Sequence, residues 1–460
     1  MPQQSGGSLL LLLKVEPAVL SDDELLERYQ RAAFDYFIEN VNPENGLVAD
    51  TSRPNSPASI AVVGFALSCY PIGVERGWMA RDVAVKLTLA ALRFFSTSRQ
   101  GNGDEVTGHK GFYYHFLDMR TGLRVWRCEL SMVDTALLIS GMLVAGAYFS
   151  DDDGDEAEIR QLAEALYRRV DWRWAQGSSP TLRQGWKPKS GFLHYGWEGY
   201  NEATILYVLS MASPDNPTSD DSYEGWTATY QWENIYGYDV LYGGPLFMHQ
   251  FSHAWIDFAG IRDAFMREKN SDYFENSRRS TYLHRDYARH NPYGYGGYDA
   301  NLWGLSAGDG PGSFRASVQR QRRRFSGYAA RGAPFGPDDG TIAPWSCLAS
   351  LPFAPDICLA ALRHLRDRYP EVIDNFRLPS GFNPTLANRR KFGRNGWVSE
   401  GHFGLDQGIV VMMIENHRSR LIWELMRSNP HIRRGLGRAG FSGGWLSKPA
   451  SPASGGGDVA

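Results

Sequence analysis

Two kinds of helical segment alternate along this chain, and that alternation limits what it can fold into. One kind is amphipathic. Residues 21–40 open with Ser21 and carry Glu24 three positions later, the pattern of a capping box. Leu25, Tyr29, Ala32, Phe34 and Phe37 then share one side. Segments 79–97, 154–173, 270–289 and 355–370 repeat this arrangement, with charged residues on the opposite face. The other kind is apolar almost all round: 57–69, 131–148, 202–212, 246–259 and 404–425. A helix apolar on every side is buried on every side. The order outer, inner, outer, inner therefore predicts an all-α fold, an (α/α)6 toroid of roughly twelve helices with short β-hairpins in its loops.

One such hairpin is predicted between Gly111–Phe116 and Arg124–Trp126. Segments 213–245 and 291–354 are dense in Gly, Pro, Asn and Asp and carry weak helix signals. No linker divides the chain, so residues 21–446 read as one domain; a two-domain all-α protein is the less favoured alternative. Residues 1–20 read as an N-terminal extension, and 447–460, rich in Ser, Pro and Gly, as a disordered tail.

Charge and composition exclude several classes of function. Net charge is −3 over 460 residues, so no global field favours nucleic acid or anionic lipid. No run of 18 apolar residues is present, so no membrane-spanning helix is expected. The apolar run Leu9–Leu13 is too short for a secretory signal and lacks a basic flank. A periplasmic or secreted location is expected if a signal precedes this sequence, and a cytoplasmic one otherwise. Cys69, Cys128, Cys347 and Cys358 are far apart and read as buried free thiols rather than a disulfide or zinc framework.

Other motifs are weak. His249 and His253 lie one helical turn apart, but no Glu follows the first and no third ligand is evident. The acidic run Asp151–Asp155 places Gly154 wrongly for a calcium loop. Gly308–Gly312 lacks the Lys of a phosphate loop, and no nucleophile-elbow Ser occurs. Arg320 and Arg322 to Arg324 read as a solvated basic loop. No metal and no cofactor is expected, and the chain is expected to be a monomer.

The informative residues are the polar ones that interrupt buried helices. Glu129 and Asp134, Asn201 and Glu202, and Asp406 and Gln407 stand at the starts of three apolar segments. Each carboxylate alone is accounted for as a helix cap. Three on three buried helices point further, because parallel packing brings their first turns into one cleft. Opposed carboxylates in an aromatic cleft suit glycoside hydrolysis, in which one acid protonates the leaving oxygen and one base activates water. The adjoining loops, Gly111–Phe116, His194–Tyr200 and Tyr293–Tyr298, are rich in aromatics and Gly. They either pack onto the domain or stack against sugar rings.

Seven blocks carry a more specific signal: Gly46–Asp50, Ser131–Leu138, Gly199–Glu202, Gly243–Phe247, Trp303–Pro311, Gly340–Pro344, and Asp406–Gly408 with Ile414–Asn416. Together they closely resemble the bacterial glycoamylase-like domain, from about residue 25 to 442. That family includes endo-β-1,2-glucanases and the related domains of cyclic β-1,2-glucan synthases. The resemblance implies an (α/α)6 toroid acting on glucans, with β-1,2-glucan as substrate and no metal. It implies Glu202 as general acid and Asp406 as general base, with Asp134 a rival for the base. Asp50, Tyr113, Tyr114, His115, Glu129, Trp197, Tyr200, Asn201, Phe247, His249, His253, Trp303 and Asp309 are the implied substrate-binding residues. Two departures stand out: Arg315–Pro337 looks like an insertion, and Tyr200 stands where many relatives have Trp.

The expected activity is internal cleavage of β-1,2-glucan with inversion. A transglycosylase or an exo-acting, sophorose-releasing enzyme of the same family is the nearest alternative. A polysaccharide lyase or a glycan-binding protein with a dead site is more distant.

Overall fold

The computed structural model describes residues 20–152, 154–388 and 391–449. The Leu9–Leu13 run, Asp153 of the acidic run, and the tail from residue 450 lie outside the described residues. Helices dominate. The first, Asp22–Glu39, starts at the expected capping box, with the Ser21 side chain and the Glu24 side chain each accepting from the other's backbone N–H.

Six buried helices touch one another in a closed circuit. They are Ile60–Glu75, Met132–Tyr148, Thr204–Ala212, Phe251–Trp255, Trp345–Ala349 and Gly404–Arg418. Neighbours pack in that order except for Phe251–Trp255 and Trp345–Ala349, and Gly404–Arg418 returns to Ile60–Glu75. The link between the two shortest is made by Gln250, whose side-chain amide donates to Ser346 O at 2.8 Å and Ser350 Oγ at 2.7 Å. Amphipathic helices lie outside. Asp22–Glu39 packs on Gly404–Arg418, Gly154–Arg169 on Met132–Tyr148, and Pro430–Arg438 on Thr204–Ala212.

The closest approach in the circuit depends on glycine. A Cβ on Gly141 would lie 2.0 Å from Gly64 O, and one on Gly64 would lie 2.3 Å from Leu137 O. Only glycine lets these two backbones meet.

Several segments differ from expectation. The apolar stretch 246–259 is not one helix but a 3-10 turn, Leu246–His249, followed by the five-residue helix Phe251–Trp255. Segment 404–425 divides at Arg420, which takes a left-handed φ of 65°, into Gly404–Arg418 and Leu421–Ser428. Gly111–Phe116 does not form a simple hairpin. Phe112–Tyr114 joins an antiparallel five-stranded sheet with Gly108–His109, Leu130–Ser131, Gly185–Lys187 and Gly191–Phe192. Only the bridge Leu117–Arg124 remains of the predicted pairing. The Arg-rich segment is no loop either: Phe314–Val318 pairs with Gln321–Phe325. Arg323 is buried there and donates to Tyr293 O at 2.7 Å. The four cysteines are buried and free.

Candidate active site

Three helix starts deliver carboxylates to one cavity of about 360 Å3. Asp134 sits in the first turn of Met132–Tyr148, Asp406 in the first turn of Gly404–Arg418, and Glu202 in the turn just before Thr204–Ala212. His115, Glu129, Trp197, Phe247, Tyr328 and Trp345 complete the walls with them. The volume is within the usual range for small-ligand sites, roughly 300–1,000 Å3.

Each carboxylate is held differently. Ser131 caps its helix: its Oγ accepts from Asp134 N–H at 3.3 Å and donates to Asp134 Oδ2 at 2.5 Å. That one side chain fixes both the helix start and the carboxylate. Glu202 is placed by its neighbours. Asn201 folds back on the loop, donating to Gly199 O at 3.0 Å and accepting from Ala203 N–H at 2.9 Å. Gly199 takes a φ of 71°, which makes the bend. Ser252 Oγ then donates to Glu202 O at 2.8 Å and ties the turn to the next buried helix. The Glu202 carboxyl is left with Oε2 buried and unpartnered. Asp406 is likewise buried, with Oδ2 unpartnered.

Electrostatics separate these acids. Burial raises Glu202 to about 7, against a smaller lowering by its own backbone N–H, and Asp134 adds to the rise. Burial pushes Asp406 well above the usual carboxylate range, against a hydrogen bond from Ser380. Burial also lifts Asp50 to about 6, moderated by His115. His115 is the cationic counterpart. Its Nδ1 meets Glu129 Oε1 at 2.9 Å and its Nε2 lies 3.5 Å from Asp134 Oδ2. Burial alone would lower the imidazole, but Asp134, Glu129 and Asp50 outweigh it and raise His115 to about 9. The hydrogen bond from His115 holds Glu129 down at about 2. Burial thus biases Glu202 and Asp406 toward their protonated forms, whereas His115 holds Glu129 of the same cavity in its ionised form. Such separation is what acid–base chemistry needs.

The implied substrate-binding residues divide. His115, Glu129, Trp197 and Phe247 line the cavity with the three acids. Asp50 lies beside them, within the electrostatic reach of His115 and Asp134. Asp309 is outside the lining but within the electrostatic reach of Asp406, paired with Arg53 and accepting from Ser399 Oγ at 3.0 Å. The others are absent from the lining and have structural work. Tyr113 is buried and its hydroxyl donates to Phe95 O at 3.2 Å. Tyr114 is buried beneath the Arg124 guanidinium, 4.5 Å from its ring centre. Tyr200 packs on Tyr273 and His249, with ring centres 5.8 Å and 5.0 Å away. His249 and His253 are buried; Ser277 Oγ is 3.1 Å from His253 Nε2. Trp303 is buried, and Asn201 is the loop bracket described above. In the Tyr293–Tyr298 loop, Tyr295 and Tyr298 donate to Asp338 at 2.8 Å each. That loop is pinned to the domain. Among the described residues no group of three His, Cys, Asp or Glu could hold a metal ion.

Tyr328 is the residue that sequence reasoning missed. It comes from the segment marked as an insertion, stands in the cavity wall and stacks on Phe403 at 6.1 Å. Its ring is 59% exposed, but the protein around the cleft and the fields of Asp406, Asp50, Asp134 and Glu202 push its phenol up. An exposed Tyr in a loop carries no signal of its own; the insertion was the signal.

Residues 194–430 match the Glycoamylase family model ("Putative glucoamylase"). A Bacteroides uniformis crystal structure carrying the same description superposes with a TM-score of 0.82 at 30% identity, covering 94% of this chain and 100% of that one. The endo-β-1,2-glucanase from Chitinophaga pinensis, solved with sophorotriose and glucose, gives a TM-score of 0.80 at 26% identity over 93% of this chain and 100% of that one. An exo β-1,2-glucooligosaccharide sophorohydrolase (non-reducing end) from Parabacteroides distasonis is 28% identical over 91% of this chain. The match spans 58% of that relative's length. With a family match across more than half of its length, on a helical frame with a carboxylate-lined cleft, the chain belongs to the glycoamylase family.

Proposed function

We propose that this protein is an (α/α)6 glycoside hydrolase that cleaves β-1,2-glucan internally, with inversion. The observation that carries this reading is one cavity holding both Glu202, half-buried and raised to about 7, and Asp134, which faces the His115 imidazolium across 3.5 Å. Glu202 donates its proton to the glycosidic oxygen as the bond breaks. Asp134 takes a proton from the attacking water. Asp406, biased toward its neutral form by burial, hydrogen-bonds a substrate hydroxyl. Trp197 and Phe247 offer apolar faces to the sugar rings. Kinship with a Chitinophaga pinensis endo-β-1,2-glucanase favours the substrate.

Two observations favour other versions of this reading. The unpartnered Oδ2 of Asp406 suits a base acting through a substrate hydroxyl. The relative named as a sophorohydrolase, together with Tyr328 in the cleft wall, favours exo action.

Incubation with linear β-1,2-glucan tests the proposal. A ladder of sophoro-oligosaccharides, released with inverted anomeric configuration by NMR, is the expected result. Sophorose alone means exo action, and no product from any β-1,2-glucan overturns the reading. Azide separates the bases. It restores turnover to Asp134→Gly if Asp134 is the base, and to Asp406→Gly if that role belongs to Asp406.

A further inference from the structure

Trp126 is an exposed large aromatic, 69% accessible, on the loop between Arg124 and Cys128. Single exposed aromatics are ordinary. Three observations set this one apart.

The first is its backbone. Trp126 and Arg127 take φ values of 56° and 51°, the left-handed region that bulky residues avoid. Such strain persists only where the surroundings impose it, and it clusters at ligand sites. The second is the means of imposing it. Arg124 Nε donates to Cys128 O at 2.6 Å, and another of its guanidinium nitrogens donates to Arg127 O at 2.7 Å. The same guanidinium rests on Tyr114. Val125 N–H donates to Phe116 O at 3.1 Å, and Cys128 N–H to Val125 O at 3.1 Å. The loop is therefore held in one shape. The third is continuity with the cleft. His115, in the cavity wall, stacks on Phe116 with ring centres 3.9 Å apart and planes at 13°. Phe116 in turn meets Trp126 at 5.1 Å. Three rings lead from beside Asp134 to the surface.

We propose that Trp126 is a sugar-stacking platform that holds glucosyl residues of the chain outside the catalytic cleft. The ligand is a glucan longer than the cavity, lying along the rim on the His115 side. A flat indole, fixed in orientation and open to water, offers an apolar face to a sugar ring and loses little entropy on binding. This rests on the reading of the cavity as a glucan site. Such a platform is of use only to a chain that continues past the cleft.

Trp126→Gly is the decisive variant. Glycine is at ease at a φ of 56°, so the variant keeps or gains thermal stability while losing the ring. Trp126→Phe keeps part of the platform. kcat/KM is measured against sophoro-oligosaccharides of increasing length and against the polymer, with melting temperature as a folding control. The expected loss for Trp126→Gly grows with chain length, from within about twofold on the shortest cleaved substrate to about tenfold on the polymer, and Trp126→Phe lies between. An equal loss at every length means a structural role and overturns the proposal, as does no loss at any length. If the wild-type protein cleaves another glucan in place of β-1,2-glucan, the functional reading fails and the same length series on that glucan decides the platform. A wild-type protein inert on every glucan overturns both.

Discussion

At the residue scale the site turns on two environments. Glu202 is carried by a turn that leaves Oε2 buried and unpartnered, which favours its neutral form. Its pKa of about 7 means that it carries the proton below that pH and loses it above. Activity should therefore fall as pH rises through about 7. Glu202→Gln is nearly isosteric but delivers no proton, so turnover should drop by roughly 10²–10⁴-fold with binding retained. Calorimetry of substrate binding alongside the rate assay checks both. A residue that only capped the helix would lose stability instead and leave turnover near normal. His115 carries the opposite charge. Its pKa is raised to about 9, so its stabilising contribution is fully present below the ordinary histidine value and is lost as pH rises through about 9. His115→Gln should melt earlier than wild type at pH 6–7, and the gap should close toward pH 10. Thermal unfolding across that range is the measurement.

At the element scale, helix starts do the positioning. Asp134 depends on a buried helix whose distance from its neighbour is set by Gly64 and Gly141. A methyl at Gly141 would press on Gly64 O at 2.0 Å, and backbone cannot swing aside as a side chain can. Gly141→Ala should cost about 1–3 kcal/mol in denaturant unfolding. It should also cost activity out of proportion to stability, because displacing a catalytic group by about 1 Å can cost on the order of 10²-fold. A variant of normal rate would show that the helices separate without moving Asp134. The strand Phe112–Tyr114 shows how a sheet keeps aromatics out of the cleft. Its side chains alternate, it sits within a five-stranded sheet, and both tyrosines are committed to packing. His115, at the next position, reaches the cavity.

At the scale of the whole molecule, the last buried helix closes the circuit onto Ile60–Glu75, and the outer helix Asp22–Glu39 joins them at Glu415. This carboxylate is buried and accepts from Gln30 Nε2 at 2.8 Å, from Arg76 at 2.9 Å and 2.8 Å, and from Ser419 Oγ at 2.5 Å. One side chain thus joins Asp22–Glu39, Ile60–Glu75 and Gly404–Arg418, elements from opposite ends of the chain. Glu415→Ala strands Arg76, while Gln30 keeps Val411 O and Arg418, and should cost about 3–5 kcal/mol, the usual penalty for removing one partner of a buried pair. Urea unfolding with unchanged cooperativity and a lower midpoint is the expected result. A midpoint equal to wild type would mean that the circuit closes without it.

Much of this was legible in the amino-acid order because it is periodic or local. Helices apolar all round must be buried, whatever surrounds them, and Ser21 with Glu24 makes a capping box from neighbours alone. The three carboxylates were legible for the same reason, as polar residues at the starts of buried helices. What only the tertiary structure decided was which polar and aromatic residues meet. Tyr113 and His115 are two positions apart, yet one is core and the other faces the cleft. His249 and Asn201 hold their own neighbours, and Tyr328 arrives from the loop that follows a hairpin far along the chain. The charge states belong to the same level. Glu202 and Glu129 are the same residue type, but one is raised to about 7 by burial and the other held at about 2 by His115. A pKa depends on the groups within a few ångströms in space, and spacing along the chain does not record them.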